Sequence, residues 1–77
     1  MVSLELYGTA RCPYTLEMRE WLEWKGKAFH EYDVERDPEA RQRLQQLAKP
    51  PFAVPVLVEN GQIIEVGWRG RTCPVES

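Results

Sequence analysis

The sequence is short of the residues that mark most small-protein classes. Histidine occurs once, as His30, and cysteine twice, as Cys12 and Cys73. No C-x-x-C pair occurs and the three positions are too scattered for zinc-ligand spacing, so no metal site is expected. Small secreted scaffolds carry several cysteine pairs; two distant thiols fit a reducing compartment, the cytoplasm, better. No apolar run approaches the roughly 20 residues that cross a bilayer. The N-terminus also lacks the basic segment and apolar core of a secretory leader. Positive charge is not in excess either: 10 Lys and Arg stand against 12 Asp and Glu, a net charge of −2. The charges are interspersed, without the basic stripe that nucleic-acid backbones require. These absences exclude membrane and nucleic-acid partners and leave a soluble, unprocessed, cytoplasmic protein.

What is present makes one domain, residues 1–77. At this length a single core is only marginally sufficient, but 43% hydrophobic residues with three Trp can build one. Repeats, linkers and low-complexity segments are lacking.

Val2 to Tyr7 reads as a strand and Gly8 to Arg11 as a loop. Pro13 suits the first position of a helix, where its missing N–H costs nothing. From Tyr14 to Lys25 the residues Leu16, Met18, Trp21, Leu22 and Trp24 make a broad apolar face among charges, and Lys25-Gly26 ends the helix. Lys27 to Val34 is the second strand, with Phe29 on one face and Ala28, His30, Tyr32 and Val34 on the other. Asp37-Pro38-Glu39 supplies an N-cap, an N1 proline and an acidic first turn. Ala40, Leu44, Leu47 and Ala48 then form a helical stripe that stops at Lys49-Pro50-Pro51. Ala53 to Val58 is a third strand interrupted by Pro55, Asn60-Gly61 a type I′ hairpin turn, and Gln62 to Val66 a fourth strand. Gly67 to Ser77 shows no helical pattern. The order is βαβαββ, an α/β architecture with a parallel pair and an antiparallel hairpin edge.

Cys12 falls at the junction of the first strand and the first helix. Free N–H groups and the positive end of the helix dipole favour a thiolate there. Helix N-termini lower cysteine pKa from about 8.5 into a range of roughly 3.5–7.5, and the thiolate is the nucleophile. The bland reading of Cys12 is a buried, inert cysteine; its place before a Pro-initiated helix favours reactivity.

The order of elements, Leu4-Glu5-Leu6-Tyr7, Cys12-Pro13-Tyr14-Thr15, Lys25-Gly26-Lys27-Ala28-Phe29 and Ala53-Val54-Pro55 together resemble the glutaredoxins over residues 2–68. The resemblance implies a thioredoxin-like fold: a four-stranded mixed sheet with two helices, here without the family's long C-terminal helix. With Gly67-Trp68-Arg69-Gly70-Arg71-Thr72-Cys73 following strand four, the chain is similar to a compact bacterial glutaredoxin-like group that includes selenocysteine-containing relatives. The motif is of monothiol type, because Thr15 stands where dithiol members have a second cysteine.

The resemblance implies a thiol–disulfide oxidoreductase serving cell redox homeostasis. Cys12 is the nucleophile that forms a mixed disulfide with glutathione or a protein thiol. Thr15 donates a hydrogen bond to the thiolate. Pro55 follows a cis bond that aims the backbone of Val54 at the substrate. Arg11, Tyr14, Val54, Gly67 and Trp68 are the implied substrate contacts, with Phe52 a further aromatic wall. Glutathione is the implied co-substrate, and no other cofactor is required. Thr9 replaces the basic residue usual three positions before the nucleophile, a role left to Arg11. Gly67-Trp68-Arg69 replaces the Gly-Gly-acidic segment that usually meets glutathione's amino group.

Cys73 has two readings: an exposed tail thiol without consequence, or a resolving cysteine that pairs with Cys12. The second requires Cα atoms within about 7 Å. Trp21 and Trp24 are core or surface cover, or mark the face of a weak homodimer; otherwise the chain is monomeric. His30 has no catalytic part. Three alternatives share Cys12 or do without it: a glutathione-assisted iron–sulfur cluster carrier, a thiol peroxide reductase, and a non-catalytic contact module.

Overall fold

Strand β1 (Leu4–Gly8) runs through the middle of the molecule, and its alternation sets both halves of the core. Leu4 and Leu6 face one side of the sheet and Tyr7 the other, as period-2 geometry requires. The computed structural model describes residues 4–49 and 52–75. Helix α1 (Pro13–Trp24) covers the Leu4/Leu6 side, where Met18 and Leu22 meet Leu57. On the Tyr7 side, Ala40 and Leu44 of α2 (Pro38–Leu47) pack on Val34, Val54, Val56 and Val58. Strand β2 (His30–Asp33) pairs parallel with β1, β4 (Val56–Glu59) antiparallel with its other edge, and β5 (Gln62–Val66) with β4. The four-stranded mixed sheet therefore has the order β2-β1-β4-β5, with one helix on each face.

Both helices begin and end where local chemistry dictates. Cys12 is the N-cap of α1 and Pro13 its first residue. At the other end Gly26 adopts φ 72°. Its N–H donates to Glu23 O at 3.0 Å and that of Lys27 to Leu22 O at 3.1 Å, a Schellman closure. The Asp37 carboxylate accepts from the N–H groups of Glu39 and Ala40 at 3.1 and 3.3 Å and starts α2. The Pro50-Pro51 stop expected from the sequence lies outside the described residues.

Four features differ from the sequence reading. First, β2 starts at His30 rather than Lys27, because the Lys27 N–H is committed to the end of α1. Second, the inner face of α1 is Thr15, Met18 and Leu22, with Trp21 half-buried at its rim. Leu16 at 44% and Trp24 at 81% exposure lie outside that stripe, so Trp24 is neither core nor cover. A helix with a single sheet beneath it buries only positions spaced three and four apart. Third, the third strand is two. A short β3 (Ala53–Val54) precedes the cis Val54–Pro55 bond and β4 follows it. Pro55 has no N–H with which to carry a ladder through.

Fourth, the tail is ordered: β6 (Cys73–Pro74) pairs antiparallel with β3. It gets there by a tight reversal at Arg69-Gly70, with φ 53° and 81°, closed by Trp68 N–H to Arg71 O at 2.8 Å and Arg71 N–H to Trp68 O at 3.0 Å. Asn60-Gly61, with φ 54° and 77°, makes the expected hairpin by the same left-handed geometry. Gly67 enters the tail turn at φ 87°, and a Cβ there would lie 2.8 Å from Arg71 O.

Candidate active site

The first helix brings Cys12 to the ends of β1 and β2, and the tail reversal brings Cys73 to meet it. Their Cα atoms stand 6.0 Å apart and the two residues form a disulfide across a sequence separation of 61. Cys73 is therefore the covalent partner of Cys12 in this oxidised chain and not an unpaired tail thiol. Cys12 retains only 3% of its exposure, whereas Cys73 is half-buried. Held in the disulfide, the Cys12 side chain caps no N–H of α1.

Thr15, one turn into the helix, is buried at 2% exposure, and its Oγ1 has no hydrogen-bond partner. Gly8 lies against it: a Cβ at position 8 would collide with Thr15 Cγ2 and sit 2.7 Å from its Oγ1. The end of β1 thus has to be glycine for α1 to seat.

A cleft of about 230 Å³ beside the disulfide is lined by Thr9, Arg11, Cys12, Glu35, Cys73 and Pro74. Arg11 forms an ion pair across it with Glu35, Nη2 to Oε2 2.7 Å. Glu35 escaped the sequence reading. The signal that could have found it is positional, since ligands of parallel α/β sheets gather beyond the carboxyl ends of the strands. Glu35 follows β2, and its N–H is held by Asp33 Oδ1 at 3.0 Å.

The other expected contacts divide. Tyr14 and Trp68 share a separate cleft of about 340 Å³ with Glu17, Arg69 and Arg71. Trp68 leans on Trp21, ring centroids 5.8 Å apart, and carries the Arg69 guanidinium 5.4 Å from its centroid. Phe52 lines neither cleft, and its carbonyl accepts the Val75 N–H at 3.0 Å. Val54 is opposite Cys73 in the β3–β6 register, next to the cis bond to Pro55. The backbone edge expected to face a substrate is therefore taken, in this oxidised chain, by the chain's own tail. Gly67 is buried behind it, its N–H bonded to Pro55 O at 2.7 Å. His30 is exposed at the opposite end of β2 from Glu35. Beneath the site, Tyr7 is pushed up to about 12 by burial first and by the neighbouring Glu5 carboxylate second.

A sheet flanked by two helices, a helix-capping cysteine in a disulfide and a cis-proline strand opposite it define a thioredoxin-like protein. A solved mutant of the thioredoxin-like protein BC3987 superposes with a TM-score of 0.76 at 29% identity, covering 90% of this chain and 86% of that one. Glutaredoxin grx-1 from Archaeoglobus fulgidus, at 20% identity, shares the fold with a TM-score of 0.71 over 90% of this chain and 78% of its own. In sequence, a probable glutaredoxin (slr1562) of Synechocystis sp. is 34% identical over 59 residues, 77% of this chain. The chain spans about half, 54%, of that relative's length. The glutaredoxin family profile matches residues 4–64. The chain belongs to the glutaredoxin family. Cys73, the partner of Cys12, lies beyond the residues that the family profile matches. Among the described residues no helix is long and apolar enough to cross a membrane.

Proposed function

We propose that the protein is a thiol–disulfide oxidoreductase that cycles between the Cys12–Cys73 disulfide and the dithiol. The carrying observation is that disulfide, which joins the N-cap of α1 to the tail. In the reduced chain the Cys12 thiolate, at a helix N-terminus, attacks one sulfur of a substrate disulfide. A Cys12–substrate bond forms, the substrate S–S bond breaks, and the other substrate sulfur leaves as thiolate. Cys73 then attacks Cys12 Sγ and the second substrate thiolate departs. The substrate has gained two electrons and the chain its disulfide. Two equivalents of a small thiol such as glutathione return it to the dithiol.

Cys73 thereby does the work that a second cysteine in the first turn does in dithiol relatives, and Thr15 keeps that turn's monothiol motif. The buried Thr15 hydroxyl, orphaned in the disulfide, becomes a donor to the thiolate. Arg11, paired with Glu35, lines the cleft beside the disulfide, and Tyr14 and Trp68 line the neighbouring one; Val54 and Gly67 are substrate contacts only once the tail has left. Glutathione and protein disulfides are the substrates, the setting is the cytoplasm, and the working unit is a monomer or weak dimer.

Turnover of hydroxyethyl disulfide by the wild type, Cys12→Ser and Cys73→Ser, together with iodoacetamide alkylation of the reduced chain across pH, tests this. Cys12→Ser is expected to be inactive, and Cys12 in the wild type to alkylate at pH values where an ordinary thiol is silent. Equal turnover by wild type and Cys12→Ser overturns the proposal.

A further inference from the structure

The outer face of α1 carries residues that the redox chemistry leaves unused. Glu17, Glu20, Trp21 and Trp24 recur at helical spacings of three and four, so two carboxylates and two indoles share one stripe. The tail adds a third indole, Trp68, tilted 58° against Trp21. With Arg69 these residues line a cleft of about 330 Å³. Neither Cys12 nor Cys73 lines it. At 81% exposure Trp24 forgoes the stabilisation that burial would bring, and the fold draws nothing from it.

Two observations say what the cleft attracts. The faces of its other two indoles already hold cations of this chain. Lys25 Nζ stands 5.2 Å from the Trp21 centroid, and the Arg69 guanidinium lies over Trp68. Among the described residues no cation sits over Trp24. In addition, neither Glu17 nor Glu20 enters an ion pair among the described residues, although Arg69 lines the same cleft. An exposed indole face therefore stands beside two carboxylates without a cationic partner.

We propose that this cleft is a docking site for an arginine side chain at the surface of a partner protein. Indole faces attract cations through the ring quadrupole. A guanidinium is planar and weakly hydrated, so it can stack on Trp24 while its edge bonds the carboxylate of Glu17 or Glu20. The chain shows the stacking half of that contact internally, in Arg69 over Trp68. A lysine ammonium is a compact, strongly hydrated charge and loses more water on entering. A neutral apolar side chain would leave the carboxylates desolvated without compensation. The docked arginine holds the partner beside the tail, through Trp68, and touches neither sulfur of the disulfide.

The test uses the oxidised full chain labelled with nitrogen-15 and follows the indole N–H signals of its three tryptophans. The probes, at constant ionic strength, are N-acetyl-arginine methylamide and its citrulline and lysine counterparts. Citrulline has the same planar shape without the charge. The arginine probe is expected to shift the Trp24 signal saturably, with citrulline about tenfold weaker and lysine about threefold weaker. Trp24→Leu keeps an apolar side chain and removes the ring; it is expected to weaken arginine binding about fivefold. Glu17→Gln with Glu20→Gln is expected to weaken it to a similar degree and to flatten its salt dependence. All three substituted positions are exposed, so the fold does not depend on them. Equal affinity for the arginine and citrulline probes, or undiminished binding by Trp24→Leu, makes the cleft an ordinary apolar patch and overturns the proposal. Lysine bound as tightly as arginine, or no saturable shift with any probe, overturns it as well.

Discussion

Thr15 carries a hydroxyl that the oxidised chain leaves without a partner, and a buried polar group in that position destabilises the state that contains it. Thr15→Val keeps the shape and removes the hydroxyl, so the oxidised variant is expected to gain about 1 kcal/mol in urea denaturation under non-reducing conditions. In the reduced chain the same change would remove the donor proposed for the thiolate, and Cys12 alkylation at low pH is expected to slow. A less stable oxidised variant would show that the hydroxyl is bonded and sink the argument. Tyr7 supplies a pH signature. It is fully buried, stacked on Tyr32 at 5.1 Å, and donates to Glu5 Oε1 at 3.3 Å. Burial, then the Glu5 charge, pushes its pKa up to about 12, against about 10 for an unfolded tyrosine. The raised value means that the fold favours the neutral phenol. Its contribution is complete below pH 10 and is lost as pH climbs toward 12. Urea midpoints across that window are expected to fall more steeply for the wild type than for Tyr7→Phe; parallel curves would refute this.

Among the elements, α2 depends most visibly on one residue. Asp37 accepts two N–H groups at the helix start, and Pro38 and Glu39 complete a first turn suited to the dipole. Asp37→Ala is expected to cost about 1 kcal/mol in chemical denaturation and Asp37→Asn a few tenths, because the amide oxygen still caps. Equal losses would assign the effect to charge instead. Such caps are written in adjacent residues, which is why both helices, the Asn60-Gly61 turn and the capping place of Cys12 were legible in the sequence. The Val54–Pro55 cis bond was legible only through family likeness. β6 was not legible. A two-residue strand has no periodicity to read, and its partner is some twenty residues away, across the whole hairpin. The reversal that delivers it places Arg69, a non-glycine residue, at positive φ, where composition gives no cue. Glu35 was missed for a related reason: its meaning comes from Arg11, and that pair exists only once β1 and β2 lie side by side. Leu16 and Trp24 misled because counting apolar residues on α1 does not say how wide a stripe the sheet covers.

For the molecule as a whole, the disulfide closes most of the chain into one loop, with a sequence separation of 61. In the chain-entropy picture a crosslink of that span stabilises by about 4 kcal/mol, acting chiefly on the unfolded state. A domain of this size draws only a few kcal/mol from its core, so the oxidised and dithiol forms are expected to differ sharply. Urea denaturation of the oxidised wild type against the reduced wild type and Cys73→Ser should show the midpoint falling and the slope rising as the unfolded chain expands. A second measurement separates this global loss from a local one. Hydrogen exchange on the reduced chain is expected to release the Val75 amide, bonded to Phe52 O at the tail edge, well before the Val34 amide, bonded to Gly8 O at 2.9 Å beside the central strand. Ordered release of that kind means that reduction frees the edge of β3 while the sheet beneath it stays folded. Simultaneous release of both amides would mean that the tail leaves only when the domain unfolds.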